Sequence, residues 1–189
     1  ELPYVGDGVF RPSISERSSV SRNASDLFFS EYSEGNNNNK YLEIYNGTGQ
    51  SVDLSSYLIR YSQNGLQVWN SAELSLSGTL LDGDVYVVAH SSASASILAE
   101  ADTAESAISA FNGDDVRGLF KVANNDTTLI DIIGTQTGGD PGTGWDVAGE
   151  PDATKDHTLV RKSSVSTGNT SWSASAGTTA DNSEWIVYD

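Results

Sequence analysis

The side chains that could do chemistry in this chain are mostly carboxylates. Glu31 and Glu43 fall in two neighbouring segments of strand-like pattern. Adjacent strands would bring them near each other, the placement that an acid–base pair needs. A strand glutamate more commonly faces solvent or bonds a loop, and we expect that here. Other acids gather at turns: Asp82-Gly83-Asp84, Asn112-Gly113-Asp114-Asp115 and Asn124-Asn125-Asp126. Hard cations take several oxygen ligands, so Asp82, Asp84, Asp114 and Asp115 are the candidate ligands of a structural calcium ion. None of these stretches has the spacing of an EF-hand loop, and a strongly acidic chain also places acids at turns by default. No other cofactor is indicated.

Nucleophilic chemistry finds little support. The chain has no Cys, and its two histidines, His90 and His157, lie in no recognisable motif. There is no Gly-x-Ser-x-Gly elbow. Gly138-Gly139-Asp140-Pro141-Gly142 is glycine-rich, but no Lys follows at P-loop spacing. The aromatic residues offer binding rather than catalysis. Trp145 and Trp172 fall in long polar loops, where binding residues tend to sit, and are the candidates for stacking on a sugar or a base. Trp69 and Trp185 lie in strand-like segments and are expected to be buried.

Composition narrows the partners. The 189 residues carry 26 acidic and 10 basic side chains, a formal charge of −16. Such a balance excludes a broad surface that tracks phosphates and predicts no strong nucleic-acid binding. It also disfavours an anionic membrane surface, and no apolar run approaches the roughly 18 residues of a membrane span. Arg161-Lys162 is the one adjacent basic pair. Any local basic patch would have to be built from it and a leader arginine. A Ser/Thr/Asn/Gly-rich, Cys-free and Met-free chain fits an extracellular bacterial protein better than a cytosolic enzyme.

The elements that must position these residues are short and β-rich. Residues 1–26 form a polar lead with Arg11, Arg17 and Arg22, expected to be a flexible leader or an edge strand. From Leu27 the pattern changes. Segments 27–32, 40–45, 57–61, 66–69, 74–76, 85–89, 116–122, 128–133, 158–161 and 184–188 read as strands. Asn46-Gly47, Asn64-Gly65 and Asp82-Gly83 are turn signals between them. Segment 66–69 is expected to pair with 57–61. Ser94 to Ala101 is the one helical candidate. The pattern predicts an all-β antiparallel sandwich or barrel with at most one short helix, in one domain over 27–189.

Several segments, in order, carry a resemblance. Phe29-Ser30-Glu31-Tyr32, Leu42-Glu43-Ile44-Tyr45-Asn46 and Val52-Asp53-Leu54-Ser55-Ser56-Tyr57 resemble the opening of a lamin-tail domain. Leu80 to Ala89, Phe111 to Asp115, Leu129 to Gly134, Asp140-Pro141-Gly142 with Trp145, His157 to Lys162 and Glu184-Trp185 continue it. Ser56 stands where the family commonly has Gly. The resemblance is to the bacterial type found near the N-terminus of large secreted nucleases of Gram-negative bacteria, ahead of a catalytic domain of the endonuclease/exonuclease/phosphatase class. It implies an immunoglobulin-like β-sandwich without catalysis of its own.

The resulting expectation is a non-catalytic accessory, interaction or positioning module of a secreted enzyme. Its partners would be other domains of the parent protein or an extracellular or cell-surface partner. The alternative is a stand-alone surface adhesion or carbohydrate-binding domain.

Overall fold

The computed structural model describes residues 23–124 and 126–189. Among them are twelve strands. They are β1 Phe28–Glu34, β2 Lys40–Tyr45, β3 Val52–Asp53, β4 Tyr57–Ser62, β5 Glu73–Ser75 and β6 Thr79–Leu80. After these come β7 Val85–Ala89, β8 Thr103–Ala104, β9 Val116–Ala123, β10 Asp126–Ile133, β11 Thr158–Arg161 and β12 Trp185–Tyr188. Six strands form one sheet in the order β12-β11-β1-β2-β7-β8, and four form the other in the order β10-β9-β4-β5. The strands pair antiparallel except for β7 with β8. The core lies between the two sheets. Phe29, Tyr32, Leu42, Ile44, Val88, Leu159 and Trp185 meet Tyr57, Ile59, Leu119 and Ile133 there. This is the expected all-β sandwich.

The alternation in β2 explains its place. Leu42 and Ile44 enter this core, while Tyr41 joins a second apolar cluster with Val87, Ala89 and Ile97. Side chains of successive strand residues point to opposite faces, so both faces of β2 are covered. Helix α1, Ala95–Glu100, supplies Ile97 to that outer cluster.

Two expectations are corrected here. The helix count is higher than one: α2, Ser106–Ser109, and α3, Trp172–Ala176, are also helical. The Glu105 carboxylate caps α2 by accepting from the N–H groups of Ala107 and Ile108, and burial of Ile108 holds it in place. Segment 66–69 is not a strand. Its expected place beside β4 is taken by β5, with Leu58 opposite Ser75 and Arg60 opposite Glu73. The described residues ahead of Leu27 also bond to the sandwich. The Ala24 N–H donates to Gly47 O (2.8 Å), and Asp26 accepts from Tyr57 OH and Lys121 Nζ, both at 2.6 Å. The rest of the polar lead lies outside the described residues.

The two sheets are joined by a buried ion pair. Arg161 on β11 donates from Nη2 to Asp131 Oδ2 on β10 at 2.6 Å, and neither side chain is exposed to solvent. Asp131 also accepts from the N–H groups of Phe29, Ile132 and Asn169. Arg161 donates further to Phe29 O, Ser175 Oγ and Glu184, and its guanidinium stacks on Trp185 at 4.1 Å. Strands β1 and β10 each carry a register shift beside this contact, between Phe29 and Glu31 and between Leu129 and Asp131. An extra residue in a ladder re-aims a side chain, and here it accompanies a carboxylate bridging two sheets.

Leaving one member of such a pair alone in the interior is far more costly than removing both. We expect Asp131→Ala to cost about 3–5 kcal/mol in urea unfolding. The Asp131→Leu/Arg161→Met double variant should cost less than the sum of the two single changes.

Candidate functional site

The acids singled out in the sequence divide between the two ends of β2. Asp82 and Asp84 lie at its Tyr45 end, in the β6–β7 turn. Asp82 accepts from the Gly49 N–H at 2.8 Å, Asp84 from the Val85 N–H at 2.9 Å, and both acids are exposed. Asp114 and Asp115 lie at the Lys40 end, where Lys40 Nζ donates to Phe111 O and pairs with Glu34 at 2.6 Å. The four aspartates therefore do not share one site. Among the described residues, no group of three or more His, Asp or Glu side chains converges to hold a metal ion.

Asp114 and Asp115 are both buried. Asp115 accepts from the Asn64 N–H at 2.9 Å and lies 3.8 Å from an Arg117 nitrogen. Asn64 has φ +49, a left-handed conformation that Asn tolerates. With its amide turned to suit these surroundings, Asn112 donates to Asp114 Oδ1 and Asp115 Oδ2. Arg117 is buried between the rings of Tyr61 and Phe111, each 5.1 Å away, and donates to Ile108 O and Val116 O. Burial, and then the charge of Asp115, push the Asp114 carboxyl above its ordinary value. Every charged group here faces a partner within the fold, which is the arrangement of a latch between loops.

Glu31 and Glu43 do come together, as the strand reading allowed. They stand opposite each other in the β1–β2 ladder. They do not face solvent, however: exposure is 3% for Glu31 and 6% for Glu43. Tyr41 OH donates to Glu31 and Ser30 Oγ to Glu43, both at 2.8 Å. A general acid or base must reach a substrate, and these two are enclosed. His157 bonds a loop, with Nδ1 beside Lys155 O. Burial, and then Lys40, lower the His90 pKa. Its Nδ1 is occupied by the Ser92 N–H.

The tryptophans sort differently from expectation. Trp172 opens α3 and is only 4% exposed, with its ring 6.2 Å from that of Trp185. It is a core residue and presents no face to a ligand, because helix α3 turns it inward onto the sandwich. Trp185 is fully buried, as expected. Trp145 is half-buried and packs on Gly134. A Cβ at Gly134 would lie 2.7 Å from the indole, and its φ of +87 suits glycine. Trp69 is not enclosed between the sheets. It lies half-buried against β9, where a Cβ at Gly118 would meet its ring tip at 2.7 Å, and it packs edge-on against Phe120 at 5.0 Å. Sequence reasoning missed this residue as a surface group. The available signal was Gly118 in the interior of a strand, since such a glycine marks close approach by another group.

The basic pair is also resolved. Arg161 is buried in the inter-sheet contact, and Lys162 donates to Ala180 O, so Arg161 contributes to no surface patch.

A family model for the Lamin Tail Domain matches residues 20–137, well over half of the chain. The chain belongs to the lamin-tail domain family, an immunoglobulin-like fold. Searches of curated proteins and of solved structures gave no match. The matched stretch ends after β10, yet β11 and β12 complete the six-stranded sheet and supply Arg161.

The raised pKa of Asp114 carries a signed expectation. A carboxyl whose folded pKa lies above its unfolded value contributes stability below the unfolded pKa and loses it as pH rises through the folded one. Asp114→Asn removes that charge while keeping an acceptor for Asn112. Its melting temperature should exceed that of the parent chain at neutral pH, and the gap should shrink as pH falls towards about 4. A gap that widens on acidification would contradict the burial argument.

Proposed function

We propose that this chain is a non-catalytic interaction and positioning module of a larger secreted bacterial protein. The carrying observation is that the buried acids and bases among the described residues are bonded within the fold. Asp131, Glu184 and Arg161 hold the sheets together, Glu31 and Glu43 are enclosed, and Asp115 sits beside Arg117. Membership of the lamin-tail family, whose fold is immunoglobulin-like, supports the same reading. The parent we favour is an extracellular nuclease of the endonuclease/exonuclease/phosphatase class from a Gram-negative bacterium. That follows the resemblance to the bacterial type together with the acidic, Cys-free composition. In such a protein this module spaces or tethers the catalytic domain, and other domains hold the nucleic acid.

Five of the cations among the described residues are held in ion pairs. Lys40, Arg60, Arg117, Lys121 and Arg161 pair with Glu34, Glu73, Asp115, Asp26 and Asp131 respectively. The formal charge of −16 opposes a polyanion at long range.

The purified chain should leave plasmid DNA intact with Mg²⁺, Mn²⁺ or Ca²⁺. In fluorescence anisotropy at near-physiological salt, labelled single- and double-stranded DNA should bind no tighter than about 100 µM. Metal-dependent cleavage lost on a single substitution in this chain, or micromolar binding, would show that it acts on nucleic acid directly.

A further inference from the structure

Trp69 packs against the edge of the core but stays half-buried on the four-stranded sheet. Trp172 and Trp185 are buried, and Trp145 lies on Gly134. Trp69 instead rests on the four-stranded sheet, with its ring tip in the gap left by Gly118 and beside Leu129 and Phe120. Phe120 is itself covered by the Arg60 guanidinium at 5.1 Å. Arg60 Nε donates to Glu73 Oε2 at 2.9 Å, and both side chains remain partly exposed, at 28% and 37%. A half-buried indole and a charged hydrogen-bonding fork thus flank one phenyl ring.

The loop that carries Trp69 is held in place. The Asn70 N–H donates to Tyr61 O at 2.8 Å, Val68 N–H to Leu66 O at 2.7 Å, and Ser62 Oγ to Leu66 O. Asn70 Oδ1 accepts from the Ala72 N–H. A platform already ordered loses little freedom when a ligand arrives.

We propose that Trp69, Arg60 and Glu73 form a binding site for a neutral polysaccharide. This rests on the reading of the chain as a non-catalytic module and names its ligand class. The face of an aromatic ring is negative, so it attracts the polarised C–H groups of a pyranose face. The Arg60–Glu73 pair, over the Phe120 ring that the indole also touches, offers donors and acceptors for sugar hydroxyls. A few convergent polar groups beside aromatic surface are the general composition of a small-ligand site. Charge selects among glycans: a chain of −16 repels uronate or sulfate polymers at long range, while neutral sugars are unaffected. The exposed Leu66 and Val68 border the platform on the same loop.

Native affinity electrophoresis of the whole 189-residue chain tests this, with laminarin, xylan, galactan and soluble cellulose derivatives as neutral probes and alginate as the acidic control. At least one neutral polymer should retard migration, and alginate should not. Trp69→Ala should weaken the effect at least tenfold, Arg60→Ala by several-fold, and Trp69→Phe should restore part of it. Because removing Trp69 also removes the packing of its loop on Gly118 and Phe120, a second readout follows the indole ¹⁵N–¹H signals of the unmodified chain. The Trp69 signal should move on titration with the retarding glycan, and the Trp172 and Trp185 signals should stay. No retardation by any neutral probe would overturn the proposal, as would retardation with an unmoved Trp69 signal. Either result leaves the module reading standing, because that reading fails only on DNA cleavage or tight DNA binding.

Discussion

The contact between Asp131 and Arg161 is the constraint on which the rest of the sandwich depends. Two sheets that meet only through apolar side chains can slide, because the hydrophobic effect has no direction. A carboxylate that must accept from Phe29 on β1, Asn169 in a loop and Arg161 on β11 allows one alignment. Burial alone pushes the Asp131 carboxyl above its ordinary value, and the Arg161 charge followed by the N–H donors opposes that shift. A buried pair of this kind contributes little net stability compared with an apolar substitute, but its geometry is exacting. Its consequence is register: the bulges in β1 and β10 fall where the strands approach this carboxylate.

The same logic accounts for how the buried charged groups among the described residues are used. Acids and bases do chemistry when they are reachable and held near a substrate. Here they are spent on closure. Glu184 completes the Arg161 cluster, Asp26 ties the entering chain to Tyr57 and Lys121, and Glu34 binds Lys40 across the turn. A domain built this way keeps these charged groups paired and presents its other side chains at its surface. That surface is where an interaction module acts, and the aromatic group resting on the four-stranded sheet is its most distinctive part.

Much of the secondary structure was legible in the sequence. Strands β2, β7 and β11 lie where the alternation and turn signals put them, and the Asn-Gly and Asp-Gly turns separate them. Segment 66–69 misled because its apolar residues share a strand's composition. What they do is drape Trp69 over a glycine in another strand, a contact about fifty positions away that no local period records. The two additional helices were hidden for a related reason. Each is about one turn long, and such a helix forms through burial of Ile108 or Trp172 rather than through its own propensity.

By itself the sequence determined the class of fold, the position of most of its longer strands and the absence of a cysteine or histidine-rich centre. These depend on local periodicity, on turn residues and on composition, which are written in neighbouring positions. Only the tertiary structure decided which tryptophan faces inward and which remains at the surface. Only it decided that Arg161 is an internal anchor rather than a surface cation, and that Glu31 and Glu43 are enclosed. Those outcomes depend on which distant groups arrive beside a side chain, and burial of a polar group is tolerated only where its partners arrive with it.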